Sequence, residues 1–139
     1  MRTVRIYQRT DAERMIRLDR EEILDYAKKV YGTIPEYLWE QHPTYAVLRM
    51  KDTDKWYGVL MNVSRRKLGI DGDGEVEIMN VRCDPEMAVS LLKTKGFLPG
   101  YLMDQNNWIS VLLDGTVGET KILDSLDRSY DLIDGITDS

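Results

Sequence analysis

Three consecutive bases, Arg65, Arg66 and Lys67, follow Ser64 in a stretch flanked by apolar segments. Positive side chains at one loop tip can neutralise phosphates irrespective of sequence, since they contact backbone oxygens rather than bases. The same charges equally suit a solvated loop that balances Asp71 and Asp73. A second polar run, Asp104-Gln105-Asn106-Asn107, precedes Trp108. Gln105 and Asn106 carry amide edges of the kind that read bases in a groove, and they also serve as ordinary loop residues. Trp108 leads a strand, where an indole is more often core than a platform for a stacked base.

Groups for catalysis are few. His42, the only histidine, stands before Pro43 in a connector, and Cys83, the only cysteine, stands just before a helix. Nothing in their spacing supports a nucleophile and base pair, and a single imidazole cannot build a histidine-rich metal site. Asp71-Gly72-Asp73-Gly74 resembles a calcium loop only superficially, because the further oxygen ligands and terminal glutamate are missing. Alternating Asp-Gly is tight-turn chemistry. No phosphate-binding glycine loop, dinucleotide fingerprint or nucleophile elbow occurs. The expectation is therefore a protein without catalysis, cofactor or metal. Trp39, Trp56, Tyr45, Tyr57 and Tyr101 could form an aromatic surface, but with one phenylalanine in the chain they are needed for packing.

Charge distribution weighs on the choice of partner. The net charge of −5 discourages non-specific attraction to a polyanion. Residues 1–20 nevertheless hold six arginines against three acids, whereas residues 114–139 hold two bases against seven acids. An anionic partner must be met by a local patch. No apolar run approaches the about 20 residues of a membrane span, and the arginine-bearing N-terminal stretch lacks the apolar core of a secretory leader. A cytoplasmic location is expected, in keeping with a lone cysteine.

With 139 residues the chain suffices for one domain with a single core. Asp19 and Glu22 form a capping-box pattern at a helix whose apolar face is Ile23, Leu24, Ala27, Val30 and Tyr31, and which stops at Gly32. A connector over 33–43 leads to strands at 45–50 and 56–63 joined by the polar turn 51–55, then a loop over 64–74 and a strand at 75–82. Asp84, Pro85 and Glu86 start a second helix with Met87, Ala88, Leu91 and Leu92 as its stripe, closed by Lys93, Lys95 and Gly96. Pro99-Gly100 reads as a turn, residues 107–113 as a strand, and Thr116 with Glu119 as the start of a last helix burying Ile122, Leu123, Leu126, Tyr130 and Ile133. The order α-β-β-β-α-β-α, with strands joined too tightly for parallel crossovers, predicts an antiparallel sheet covered by helices, class α+β. The predicted domain spans 19–135. Residues 1–18 form an N-terminal arm or helix extension, with a short strand at 3–8 as a further option, and residues after Gly135 are expected to fray.

Across residues 21–134 the chain resembles the MmcQ/YjbR family of small bacterial proteins. The resemblance rests on Tyr31-Gly32 with Pro35 and Trp39, Pro43 through Arg49, Lys67-Leu68-Gly69, Cys83-Asp84-Pro85-Glu86, Pro99-Gly100-Tyr101, Asn107-Trp108, Leu113-Asp114-Gly115 and Ser129-Tyr130. These positions are mainly caps, turns and core, so they specify a fold better than an activity. The resemblance implies a compact α+β domain with a double-wing arrangement and predicted DNA binding through hairpin tips. On this chain the tips would be 51–55, with Lys51 and Lys55, and 64–74, with Arg65, Arg66 and Lys67. Where relatives carry a pattern like H-x-N-K-x-H-W, this chain reads Leu102-Met103-Asp104-Gln105-Asn106-Asn107-Trp108, replacing both histidines and the lysine. Two readings stand. One is a nucleic-acid module using the wing tips and the arginine-rich arm. The other is a protein- or small-molecule-binding domain with no nucleic-acid affinity, suggested by the net charge of −5, the acidic C-terminal helix and the aromatic connector. In either case a monomer is expected.

Overall fold

A computed structural model describes residues 18–137. The expected arm therefore lies outside the described residues except for Leu18, which is buried in the core, and so do the last two residues of the expected tail.

Helix α1 (Arg20–Tyr31) is set by its caps. The Asp19 carboxylate accepts the Glu22 N–H at 3.1 Å, and Gly32, at φ 69°, donates its N–H to the Lys28 carbonyl. Ile23 and Ala27 are buried as the periodicity predicts, while Leu24, Val30 and Tyr31 are only partly so. Tyr26 joins the buried set because its hydroxyl finds an interior acceptor, both oxygens of Asp127 at 2.9 Å.

The sheet comprises β1 (Ala46–Arg49), β2 (Trp56–Ser64), β3 (Glu75–Arg82), β4 (Phe97–Pro99) and β5 (Trp108–Leu112), in the order β1-β2-β3-β5-β4 with every neighbouring pair antiparallel. β4 was not expected. It is a three-residue edge strand in which Pro99 ends the pairing opposite Ile109, a position that tolerates a residue with no N–H. The loop expected over 64–74 contains a further helical turn, α2 (Arg65–Leu68), capped by Ser64, whose hydroxyl accepts the Lys67 N–H at 3.2 Å.

Helix α3 (Pro85–Leu91) starts as expected on Asp84, which accepts the Met87 N–H at 2.9 Å, but it ends four residues before the predicted stop. Leu92 is exposed rather than part of the stripe. Gly96 serves instead as the bend into β4. Its φ is 97°, and a Cβ there would come within 2.4 Å of Val117. Helix α4 (Glu119–Thr137) begins three residues after Thr116 and continues past Gly135. The predicted box does not form because the Thr116 N–H is held by Asp114 at 3.0 Å and Val117 is buried in the preceding turn.

Both sheet faces are apolar. The helices cover one, burying Leu48, Leu60, Met79, Val81, Ile109 and Val111 with Ile122, Leu126 and Ile133 of α4. The other carries Val47, Val59, Met61, Val63, Val76 and Ile78 under Leu68 of α2 and loop residues Trp39, Ile70, Tyr101 and Met103. A bulge in β2 ties the helix-covered face together. Arg49 pairs with Trp56 but Leu48 with Gly58, so Tyr57 is an extra residue outside the ladder. Ser129 of α4 completes its bonding, donating to the Tyr57 carbonyl at 2.6 Å and accepting the Arg82 N–H at 2.9 Å.

Candidate functional site

The antiparallel register distributes the sequence-predicted residues over two ends of the sheet. Lys51 and Lys55 lie in the β1–β2 turn, at the end where β3 finishes and Arg82 pairs with Trp108. Gln105 and Asn106 lie in the β4–β5 loop at that same end. Arg65, Arg66 and Lys67 lie on α2, at the end where β3 begins. Eight strand residues separate the two ends by about 25 Å.

Local bonding reduces what each cluster offers. The hairpin turn holds Asp52 and Asp54 between its lysines, and Asp54 faces Arg49 at 3.7 Å. Arg65 meets Asp114 at 3.6 Å, and its own N–H donates to the Gly74 carbonyl at 2.9 Å. Burial alone would raise the Asp114 carboxyl, but hydrogen bonds from Thr116 and the charge of Arg65 outweigh it and hold the group below the usual carboxylate range. Arg66 and Lys67 are exposed. The run Asp71-Gly72-Asp73-Gly74 forms a turn with both glycines at positive φ.

The 104–107 loop is built around Asp104, which accepts the Asn106 N–H at 3.0 Å and the Asn107 amide at 2.9 Å. Those bonds hold its carboxyl low. Beneath it, buried Asn80 donates to the Tyr101 carbonyl at 3.0 Å and accepts from Ser110, which also accepts the Tyr101 N–H at 2.9 Å. Gln105 and Asn106 are thus the exposed top of a tied-down loop. Trp108 is buried and covered by the Arg82 guanidinium, 4.8 Å from its ring centroid. Trp39 packs edge-on against Tyr45 and Trp56, and His42 stacks on Tyr45 at 4.4 Å. Tyr45 belongs to the loop-covered face and Cys83 to the helix-covered face, so His42 and Cys83 are not brought together.

A cleft of about 370 Å³ opens on the helix-covered side, between α3 and α4 at the C-terminal end of β3. Val81, Ile109, Met87, Leu91 and Leu132 form its apolar lining. Asp84 stands on one rim, while Lys121, Asp124, Arg128 and Asp131 stand on the other. Arg128 pairs with Asp124 at 2.7 Å. Cys83 lies in the wall, where burial first and the Asp84 charge second push its thiol up to about 11, Arg128 opposing them in part. Sequence reasoning took the buried stripe of α4 and passed over the adjacent one. Residues 121, 124, 125, 128, 131 and 132 recur at spacings of three and four, the signal of a second face turned toward a neighbour. Among the described residues no group of three or more His, Cys, Asp or Glu side chains is arranged to hold a metal. No helix among them is long and apolar enough to cross a membrane.

Comparison with known proteins gives concordant likenesses. A family model described as YjbR matches residues 28–132. The chain is 45% identical over 115 residues to a Bacillus subtilis protein named uncharacterized protein YyaQ, covering 83% of this chain and 98% of that one. A crystal structure of a Pseudomonas syringae protein superposes with a TM-score of 0.80 at 41% identity, covering 83% of this chain and 98% of the other. A Deinococcus radiodurans protein, DR2400, shares the fold at a TM-score of 0.63 and 18% identity, covering 81% of this chain and 76% of the other.

Proposed function

The chain belongs to the YjbR family, and from that premise we propose that it is a non-catalytic cytoplasmic binding protein whose ligand is a small molecule or short peptide rather than duplex DNA. The observation that carries this reading is the α3–α4 cleft, an apolar concavity rimmed by charges of both signs. Ligand sites are typically concave, mostly apolar and fitted with a few polar groups, and this volume lies at the small end of their range. Against a DNA reading stand the separation of the candidate bases to two ends of the sheet, the acids interleaved with Lys51 and Lys55, and the net charge of −5.

Amide chemical-shift mapping tests it. A set of small amphipathic compounds should move residues of the cleft wall saturably, and duplex DNA at physiological salt should move none of the resonances of Lys51, Lys55, Arg66, Lys67, Gln105 or Asn106. Saturable shifts at those tips with DNA, and none at the cleft with the compounds, overturn the reading. DNA remains the second reading because Arg66 and Lys67 are exposed on α2.

A further inference from the structure

We propose that the α3–α4 cleft binds an apolar zwitterion, a ligand with an ammonium group, a carboxylate and an aliphatic body, as in a branched-chain amino acid or a short apolar peptide. This rests on the small-ligand reading above and names the class. On the α4 rim, Asp124 and Arg128 satisfy each other at 2.7 Å. Asp84, across the cleft, has no ion-pair partner among the described residues, and neither has Lys121. Asp84 spends one oxygen on the Met87 N–H as helix cap, leaving the other available.

Asp84 and Lys121, both exposed, thus flank an apolar lining as opposite charges that do not pair with each other. A carboxylate near Lys121 and an ammonium near Asp84 satisfy both, while an aliphatic group covers Met87, Leu91 and Leu132. A singly charged ligand would meet only one of these two rim charges. The thiol of Cys83 adds no competing charge, because it is held neutral.

The test titrates isotope-labelled full-length protein with leucine, dileucine, isocaproate (leucine without its ammonium) and isoamylamine (leucine without its carboxylate), following the amides of Val81, Cys83, Met87, Leu91, Ser125 and Leu132. Leucine or dileucine should bind about threefold more tightly than either singly charged analogue, the worth of one exposed ion pair. Whichever of the two binds tighter identifies the source as free amino acid or peptide. Asp84→Asn keeps a capping side chain and should weaken leucine about threefold while leaving isocaproate unchanged. Lys121→Gln should weaken leucine and leave isoamylamine unchanged. Equal affinity for leucine and both analogues overturns the zwitterion but preserves a small-ligand cleft. No response at the cleft to any of the four compounds overturns the proposal, and a simultaneous response of the hairpin tips to duplex DNA overturns the functional reading as well.

Discussion

Burial in the cleft wall raises the cost of ionising Cys83, the neighbouring Asp84 carboxylate raises it further, and Arg128 offsets only part of both. The thiol consequently rises from an ordinary 9.0 to about 11. Since the thiolate is the reactive form, a rise of two units leaves about 100-fold less of it at pH 8. A disulfide reagent should therefore label the native protein at least about 100-fold more slowly than the urea-unfolded chain, and equal rates would show that the thiol is not held neutral. The linkage has a definite sign. The folded value lies above the unfolded one, so the contribution to stability is fully present below pH 9 and is lost as pH rises toward 11. Sequence reasoning located Cys83 just before a helix start and gave it no reactive role. The upward shift follows from burial and from Asp84, and burial depends on α4, which no local pattern around residue 83 reveals.

Elements were legible wherever a hydrogen bond three or four residues long decides them. Asp19, Gly32, Asp84 and Pro85 bound helices as their types require, because caps are satisfied within the local chain. Thr116 with Glu119 had the same signature and failed, since Asp114 captures the Thr116 N–H first. β4 has three residues including a proline, too short to show alternation, and exists because Val111, Ser110 and Ile109 offer an open edge. The bulge at Tyr57 was equally hidden, for its closure comes from Ser129, 72 residues away. Its weight can be measured. Ser129→Ala leaves the Arg82 N–H and the Tyr57 carbonyl without their partner inside the core, at a cost of about 1–3 kcal/mol. Urea unfolding should show a lower midpoint with an unchanged slope. An unchanged midpoint would mean that the strands close without the hydroxyl.

For the molecule as a whole, topology decides how many phosphates one duplex could meet at once. β2 and β3 run between the two basic clusters, so Lys51 and Lys55 face one end while Arg66 and Lys67 face the other. Arg65 is committed to Asp114. A rigid duplex laid across either end reaches two or three of these cations and is repelled by a body of net charge −5. Each neutralised phosphate contributes about −0.9 to the slope of log K against log salt, so any low-salt attraction should show a slope no steeper than about −3. The pair K51E/K55E and the pair R66E/K67E should each leave the attraction of the opposite end intact, because no duplex bridges them. A slope steeper than about −4, abolished by either pair alone, would require both ends to grip one nucleic acid, and would mean that it wraps along the about 25 Å of strand between them.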